Sequence, residues 1–327
     1  MRAVQFDRYG ASDVLDVRTI PVPTPRHDQV LVRVHASGLN PKDPLVRSGA
    51  FRLFTGRTFP RGTGDDFAGE IVALGTRVAD LAVGDRVLGF LDGFRGGAAA
   101  EYVAARREWV APMPKGLGWV EAAAIPLVAT TALQALRDVA RLKSGERLLI
   151  KGASGGVGSA AIQIGKVLGA YVTAMASGDG IDHCQRLGAD TVVDYTRTDP
   201  TTLGERFDVF FDCVGGSPYR AYRRLLRRGG RWVSTMPPPW VYPTAPISRV
   251  VGPLLGQPIL TFVAVRPKRA DLEEVARLVE RGQLRMPVMA TYPIDRIRAA
   301  HDDVAMKHGR GKRVLVISPE ADGSTAR

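Results

Sequence analysis

The sequence predicts an α/β protein with two domains, in which a β-rich, barrel-like half is followed by a doubly wound parallel sheet. Three observations lead to this prediction. A chain of 327 residues is long for a single hydrophobic core. Near Val120 the pattern changes from short alternating runs to strands that alternate with helices. A glycine-rich turn, GASGGVG at 152–158, lies between an apolar run and a segment with helical spacing.

The first 115 residues have the pattern of short β-strands. Apolar and polar residues alternate at 29–35, 69–74 and 85–89, and proline- and glycine-rich turns separate these runs. Frequent short strands favour a barrel-like domain. A helical segment follows and is expected to break near Pro126.

In the second half, strand patterns alternate with helical spacing for over a hundred residues. This order is typical of βαβ units, which form a parallel sheet with helices on both faces. The predicted strands are 148–151, 171–176, 191–195, 208–213, 231–235 and 259–265. The predicted helices are 158–169, 181–187, 217–227 and, less regularly, 200–206.

The last part of the chain is less regular. The segment 237–258 carries seven prolines and is expected to form an irregular loop or hairpin. A helix at 271–281 and a strand at 312–317 follow, and ADGSTAR at 321–327 is expected to be disordered.

The glycine turn has the chemistry of a phosphate-binding loop. Gly155 and Gly158 lack a Cβ, so the backbone can turn sharply, approach phosphate oxygens and pack a helix against a strand. The helix that follows offers unpaired N–H groups and a partial positive charge to an anion. Ala153 stands where the G-x-G-x-x-G pattern has its first glycine. The turn therefore predicts a site for a dinucleotide pyrophosphate.

Composition narrows the class of protein. No apolar run is long enough to cross a bilayer, and the N-terminus MRAVQFDRYG has no signal-peptide core. The two cysteines, Cys184 and Cys213, exclude a disulfide framework and fit a reducing compartment. We therefore expect a cytoplasmic protein with no membrane partner.

The chain has a net charge of +12, and part of its positive charge lies in a dense arginine run, YRAYRRLLRRGGR at 219–231. Spacings of three and four would place most of its arginines on one side of a helix. A basic balance favours phosphorylated ligands. Because the chain has no basic tail and no interleaved aromatic residues, nucleic-acid binding is not expected as its main function.

The chain resembles the medium-chain dehydrogenase/reductase superfamily along nearly its whole length, and is most similar to its zinc-free, quinone oxidoreductase-like branch of the zeta-crystallin type. The order and spacing of several motifs carry this resemblance. They are GLNPKDPLVRSG at 38–49, GTGDDFAGEIVALG at 62–75, VGDRVLG at 83–89, AEYVA at 100–104, AAAIPLVATTALQAL at 122–136, GASGGVG at 152–158, LGADTVVDY at 187–195, FDVFFDCVGG at 207–216 and GRGKRVLVI at 309–317. The resemblance implies a GroES-like β-barrel domain at 1–119 and 267–327, a Rossmann domain at 120–266, and catalysis in the cleft between them.

The chain departs from the zinc alcohol dehydrogenases of that superfamily at their metal ligands. Those enzymes place a Cys where this chain has Asn40, and a Gly-His-Glu where it has Gly64-Asp65-Asp66. The stretch 90–105 also lacks the cysteines of their structural zinc lobe. Zinc needs thiolate or imidazole ligands at defined spacing, and the five histidines do not supply such a set. No metal is expected.

Without zinc, the hydride acceptor must itself accommodate the incoming charge. Quinones and α,β-unsaturated carbonyls spread that charge onto oxygen, where a few hydrogen-bond donors stabilise it. The resemblance implies that Asn40 and Asp43 border the nicotinamide and the acceptor, and that Thr130 contacts the nicotinamide. An alternative role for Asn40 is to cap the following turn. Lys42 is a further donor candidate, with a solvated surface position as the alternative.

The favoured cofactor is NADPH. Sheets that select NAD end their second strand in a carboxylate, whereas Ser177 follows the second strand here. Asp179 lies slightly beyond, so use of NADH stays open. The resemblance adds Ser177 and Tyr195 as contacts of the 2′-phosphate. The glycine turn contributes Ala153, Ser154, Gly155, Gly156 and Val157, and the resemblance places Val214, Gly215, Phe262, Val263, Gly311 and Lys312 near the cofactor.

Two alternative functions remain open. Enoyl-thioester reductases of the same superfamily look similar, but they carry a tyrosine acid where this chain has Phe51, which cannot donate a proton. A low-turnover NADPH-binding protein, used in regulation or RNA contact, would present the arginine face at 220–231. Relatives often form homodimers by pairing their sixth strands, and the apolar run ILTFVAV at 259–265 suits an edge that must be covered.

Overall fold

The computed structural model describes residues 1–94, 96–306 and 309–318. These residues divide into two compact units. Unit A lies within Met1–Thr130, Arg266–Gly282 and Met286–Arg327, and unit B comprises Thr131–Val265 and Gln283–Arg285. The domain limits given by the sequence resemblance stay a prediction, and the disorder expected at 321–327 lies outside the described residues.

The strands and helices follow one another along the chain with these bounds. The strands are β1 Arg2–Phe6, β2 Asp16–Thr19, β3 Gln29–Leu39, β4 Arg61–Gly62, β5 Asp66–Leu74, β6 Arg86–Phe90, β7 Tyr102–Arg106, β8 Val110–Pro112, β9 Arg147–Lys151, β10 Tyr171–Ala176, β11 Thr191–Asp194, β12 Phe207–Asp212, β13 Leu226–Ser234, β14 Ile259–Phe262, β15 Val288–Pro293 and β16 Lys312–Val316. The helices are α1 Lys42–Arg47, α2 Arg52–Thr55, α3 Trp119–Ala123, α4 Pro126–Leu133, α5 Gly156–Val167, α6 Gly180–Arg186, α7 Tyr219–Tyr222, α8 Val241–Leu254, α9 Arg269–Glu280 and α10 Ile297–Ala305. No helix of the described residues is long and apolar enough to cross a bilayer.

Unit A is built on a mostly antiparallel sheet in the order β15-β16-β3-β5-β6-β8, with β7 also paired to β3. The long strand β3 carries Val30, Val32 and Val34 into a core that they share with buried aromatic and aliphatic side chains. The C-terminal strand β16 pairs antiparallel with β3, which brings the end of the chain back to its first half. This pairing places Lys312 close to the residues that follow β3.

Unit B contains a parallel sheet in the order β11-β10-β9-β12-β13-β14. The strand order reverses between β9 and β12, and ligands of such sheets bind at this switch point, beyond the carboxyl ends of the strands. Buried side chains such as Leu149, Phe210 and Trp232 form part of its core. The predicted fold class, a doubly wound parallel sheet with a second, β-rich domain, is confirmed.

The prediction of an irregular loop at 237–258 is wrong, because this segment forms the 14-residue helix α8. Pro243 lies in the first turn, where a helix needs no backbone N–H donor. Pro246 and Pro253 lie inside the helix. Contacts with the sheet outweigh their cost: Ser248 Oγ accepts a hydrogen bond from Leu260 N and donates one to Leu260 O, both at 3.0 Å. Tertiary packing thus overrides the local preference of proline.

The prediction of one helix at 217–227 is also wrong. Helix α7 ends at Tyr222, a single 3₁₀ turn follows, and β13 begins at Leu226 instead of 231. Gly229, with a φ of +71°, lies where the register of β13 against β12 shifts. The arginines therefore do not share one helical face. Arg227 pairs with Asp208 at 3.0 Å, and Arg231 pairs with Glu146.

Candidate active site

The glycine turn connects β9 to α5 in unit B. Gly152 has a φ of +73°, a conformation that glycine adopts without strain. A Cβ on Gly158 would lie 2.2 Å from Gly152 O and 2.6 Å from the Cα of Ala153, so helix and turn touch at this point. A Cβ on Gly155 would have Gly152 O, at 3.4 Å, as its nearest atom. The turn is therefore closed behind Gly158 and open at Gly155, beside the N-terminus of α5.

Ala153 occupies the position of the first glycine of the pattern. It is fully buried, and its N–H donates to Met175 O at 3.3 Å. The backbone of the turn is thus tied to the neighbouring strand β10, and the Ala153 methyl group is buried. The N-terminal N–H groups of α5 remain free of side-chain caps at Gly155, the residue that precedes the helix. Such a terminus suits a bound anion.

Ser177 and Tyr195 follow the adjacent parallel strands β10 and β11. The Ser177 hydroxyl donates to Tyr195 Oη at 2.8 Å, so the structure brings together the two residues predicted to contact a 2′-phosphate. Tyr195 is half exposed. Asp194, at the end of β11, accepts hydrogen bonds from Thr196 N and Oγ1 at 3.0 and 2.6 Å, which lower its pKa. Asp179 immediately precedes α6.

The loop after β12 is held by two residues that the sequence analysis did not single out. Asp212, fully buried, accepts hydrogen bonds from the N–H groups of Val214 and Gly215 at 3.2 and 2.8 Å. Lys151 Nζ donates to Gly215 O at 3.1 Å and to Ser217 Oγ at 2.9 Å. The signal for both was their place at the carboxyl ends of β9 and β12, the switch point of the sheet.

Phe262 and Val263 lie at the carboxyl end of the edge strand β14. Val263 N donates to Ser234 O at 3.0 Å, which continues the pairing with β13 by one residue. The Phe262 ring meets Tyr242 of α8 edge to face, with 4.9 Å between ring centroids. Together with the glycine turn and the loop after β12, these residues belong to the carboxyl-end rim of the parallel sheet.

In unit A, Asn40 lies in a buried cluster with Asp66 and Lys312. The Asn40 amide donates to Asp66 Oδ2 at 2.9 Å, and Lys312 Nζ donates to Asp66 Oδ2 at 2.8 Å and to Asn40 Oδ1 at 2.6 Å. Asp66 Oδ1 accepts the N–H of Leu127 at 2.6 Å, which anchors the first turn of α4. Lys312 was predicted near the cofactor; its ammonium is buried against Asp66.

Asp43 and a second ion pair lie beside this cluster. Asp43 Oδ2 accepts the N–H of Asn40 at 2.8 Å, so the carboxylate rather than the Asn40 side chain caps this turn. Burial, together with the nearby carboxyl of Asp65, raises the pKa of Asp43 to about 8. Burial also raises the pKa of Asp65, although Lys42 Nζ lies 2.7 Å from its Oδ2. Burial opposes charge on Lys42, yet the Asp65 carboxylate raises the net pKa of this lysine.

Thr130 and Gly311 complete the predicted site residues of unit A. Thr130 is fully buried in α4, and its hydroxyl has no hydrogen-bond partner within the described part of the chain. Gly311 has a φ of +95°, and a Cβ there would lie 2.2 Å from Pro287 O, so the turn before β16 requires glycine. Among the described residues, no backbone hydrogen bond joins Gly311 to the Asn40 cluster.

A cavity of about 770 Å³ also opens in unit A. Its lining includes five basic residues and Trp109, and Asn40 and Asp43 do not line it. Its lining includes Leu91, Asp92 and Gly96 from the loop after β6, and Leu91 N donates a hydrogen bond to Asp65 O at 3.0 Å.

Comparison with known proteins agrees with this geometry. A family model described as an alcohol dehydrogenase GroES-like domain matches residues 26–115, and one described as a zinc-binding dehydrogenase matches residues 187–315. A chloroplast envelope quinone oxidoreductase homolog of Arabidopsis thaliana is 32% identical over 332 residues, with 98% of each chain covered. The chain belongs to the medium-chain dehydrogenase/reductase superfamily. It falls in the quinone oxidoreductase-like branch and is an oxidoreductase.

Two further relatives of this medium-chain dehydrogenase/reductase bear on its chemistry. The 2-methylene-furan-3-one reductase of Solanum lycopersicum is 40% identical over 239 residues, covering 70% of this chain and 61% of that one. The structure of the quinone oxidoreductase from Coxiella burnetii superposes with a TM-score of 0.86 at 31% identity, covering 97% of this chain and 99% of that one. Within the described ranges of this dehydrogenase/reductase, no group of three or more His, Cys, Asp or Glu side chains is arranged to hold a metal ion.

Proposed function

We propose that this protein is an NADPH-dependent reductase that transfers hydride to a quinone or an α,β-unsaturated carbonyl without a metal ion. The observation that carries the proposal is the buried contact of Asp66 with the Lys312 ammonium at 2.8 Å. In zinc enzymes of the superfamily, this part of the fold supplies metal ligands. A carboxylate already neutralised by an ammonium, beside a neutral Asn40 amide, does not fit Zn²⁺, because the cation would meet a buried positive charge.

The residues of unit B fit a dinucleotide. The open side of the turn at Gly155 and the uncapped N-terminus of α5 suit a pyrophosphate, with backbone N–H groups of the stretch 153–157 as donors. Ser177 and Tyr195 offer two hydroxyls at the place where NAD-selective sheets carry a carboxylate. This supports NADPH over NADH. When bound, the reduced nicotinamide supplies the hydride.

The nicotinamide end of the site is assigned to the rim formed by Val214, Gly215, Phe262 and Val263. Asp212 and Lys151 hold the loop after β12 in a fixed conformation, so its backbone groups are available in one arrangement. A fixed arrangement of donors and acceptors costs little reorganisation when a ligand binds. Gly311 and Lys312 remain proposed as the final turn near the cofactor.

The acceptor is proposed to be a conjugated carbonyl. Relatives of the chain are named as quinone oxidoreductases and as a reductase of 2-methylene-furan-3-one, itself an α,β-unsaturated ketone. Asn40, Asp43 and Thr130 are proposed to border the acceptor and the nicotinamide. Phe51 supplies no hydroxyl, so the proton that completes the reduction comes from solvent.

Steady-state oxidation of NADPH with a panel of quinones and enones tests this proposal. We expect turnover with at least one acceptor in buffer treated with a chelator, and slower turnover with NADH. Tight binding of NADPH without turnover of any acceptor would instead support a binding protein. The arginine face that favoured such a role is not continuous, since Arg227 and Arg231 are held in ion pairs.

We also propose that the protein is a homodimer. Strand β14 is the edge strand of its sheet, and α8, which packs against it through Ser248, exposes apolar side chains at helical spacing. These are Ile247, Val250, Val251 and Leu254. A second copy that pairs with β14 would cover both features. A cytoplasmic location is proposed as well, supported by two cysteines that form no disulfide.

A further inference from the structure

Lys42 differs from the other charged residues of the buried cluster because it is partly open to solvent. Its side chain is 24% exposed, whereas Asp65 beside it is 1% exposed. The Lys42 ammonium donates a hydrogen bond to Gly93 O at 2.6 Å and lies 2.7 Å from Asp65 Oδ2. An ammonium has three N–H groups. One donates to Gly93 O, a second faces the Asp65 carboxylate without the geometry of a directed hydrogen bond, and the third has no acceptor among the residues that the structure describes.

Among the described residues, Lys42 is the ion-pair partner of Asp65, and Lys312 adds a weaker attraction. Neither of its oxygens accepts a directed hydrogen bond from the described residues, so its contact with Lys42 is an ion pair that acts through charge. A buried carboxylate with one partner is costly. The Asp65 carboxylate keeps the Lys42 ammonium charged and holds it in one position, although the lysine side chain is long and flexible. The Lys42–Asp65 ion pair therefore leaves a charged ammonium partly exposed, where a ligand can contact it.

Aromatic rings lie beside that cation. Lys42 Nζ lies 5.5 Å from the centroid of the Phe94 ring, within the range of a cation–π contact. Phe51 and Phe54 stack near Phe94, at centroid distances of 5.0 and 6.1 Å. Phe54 is 72% exposed. A soluble protein seldom exposes such rings next to a fixed ammonium unless they meet a ligand.

We propose that Lys42 is a catalytic residue of the proposed reductase, whose third N–H donates a hydrogen bond to the acceptor's carbonyl oxygen, and that Phe54 and Phe94 together form an apolar wall beside the acceptor's ring. Asp65 is a positioning residue that acts through Lys42. This inference rests on the proposed function and sharpens its substrate class to flat, conjugated carbonyl compounds with a ring.

The step balances without a further reactant. The acceptor gains a hydride at its β-carbon, its π electrons move to oxygen, and the nicotinamide is oxidised by the same two electrons. Lys42 keeps its proton and stabilises the resulting oxyanion by charge and hydrogen bond. A proton from water then joins the α-carbon of an enone. With a quinone, water protonates the oxyanion, and the carbon that received the hydride then loses its proton to water while the second oxygen gains one, which gives the hydroquinone. The carbonyl product or hydroquinone leaves as a neutral molecule.

The test compares Lys42→Met with Lys42→Arg, and uses Lys166→Met as the matched control. Lys166 is a surface lysine of unit B whose ammonium lies 2.6 Å from Asp190, so this change removes one ion pair far along the chain from Lys42. We expect Lys42→Met to lower kcat by roughly 10²–10³-fold. The Kd for NADPH should stay unchanged, Lys42→Arg should recover part of kcat, and Lys166→Met should equal the wild type. The loss should be larger for enones, whose oxyanions are more basic, than for quinones.

A variant that lacks both charges separates catalysis from folding. Lys42→Met alone leaves Asp65 unpaired and could unfold unit A. Lys42→Met with Asp65→Asn leaves no buried charge in this pair, and we expect it to fold and to stay as slow as Lys42→Met. Wild-type kcat in the double variant, or an equal loss for every acceptor, would overturn the inference. Absence of turnover in the wild type would instead refute the proposed function.

Discussion

At the scale of single residues, Ser177 tests the choice of cofactor. Its hydroxyl donates to Tyr195 at 2.8 Å and both residues end adjacent parallel strands. Ser177→Asp replaces a hydroxyl with the carboxylate that repels a 2′-phosphate and suits a ribose 2′-OH. We expect the Kd for NADPH to rise on the order of 10²-fold, because a hydrogen bond to a charged group is lost and a repulsion is added. Titration of both cofactors by fluorescence measures this. Equal weakening of NADPH and NADH would contradict the assignment.

His301 tests the burial of a titratable group in unit A. It is fully buried with Nε2 3.2 Å from Thr63 Oγ1. Burial and the nearby charge of Arg47 lower its pKa to about 3. The unfolded imidazole binds a proton near pH 6.5, so acid favours the unfolded chain. Stability should therefore fall as pH decreases from about 6.5 towards 3, by about 2 kcal/mol at pH 5.

His301→Gln removes this titration and keeps a hydrogen-bonding side chain. We expect the difference in unfolding free energy between pH 7 and pH 5 to shrink by about 2 kcal/mol in urea titrations. His27→Gln, on the exposed surface, should retain the wild-type difference. A His301→Gln variant with the wild-type difference would show that the imidazole is not held neutral.

At the scale of elements, Gly155 and Gly158 separate folding from cofactor binding in the turn before α5. A methyl group on Gly158 would overlap Gly152 O at 2.2 Å, so Gly158→Ala should lower the unfolding free energy by about 1–3 kcal/mol. A methyl group on Gly155 has space and an ordinary φ of −73°. Gly155→Ala should change stability by less than about 1 kcal/mol but weaken NADPH at least about tenfold, because the methyl group fills the phosphate cradle. Wild-type affinity in Gly155→Ala would show that phosphate does not approach this residue.

Helix α8 and strand β14 form the proposed dimer surface. Ile247 is 61% exposed on α8. Ile247→Lys places a charge where a second copy would pack, and we expect light scattering to show a monomer where the wild type is a dimer. Val83→Lys, at an exposed apolar position of unit A, should leave the dimer intact. A wild-type chain that is monomeric at micromolar concentration would refute the homodimer.

Elements were predictable from the sequence where local pattern and packing agree. Strand β10 has the predicted bounds, 171–176, because its apolar run is buried on both faces of the sheet. Helix α8 was missed because its prolines disfavour a helix locally, whereas tertiary contacts with β14, the next strand along the chain, stabilise one. Strand β13 begins earlier than predicted. The arginine spacing at 220–231 favours a helix, but pairing with the neighbouring strand outweighs this local preference.

At the scale of the whole molecule, the structure brings together only some of the predicted site residues, and their roles stay a prediction. Ser177 and Tyr195 meet, and Asn40 lies with Asp43. The contact between Asp66 and Lys312 joins residues 246 positions apart, and no local pattern predicts which carboxylate a lysine neutralises. The pair of Lys42 with Asp65 was missed for the same reason, since a lysine at a helix start is more often solvated.

In the proposed reaction, hydride passes from NADPH to a conjugated carbonyl without a metal ion. Mass spectrometry of the product formed from NADPH deuterated at the transferring C4 position tests this most directly, with an enone as acceptor in chelator-treated buffer. We predict one deuterium at the β-carbon of the product, and the same yield after added Zn²⁺. A product without deuterium, or transfer that occurs only when Zn²⁺ is present, would contradict the claim.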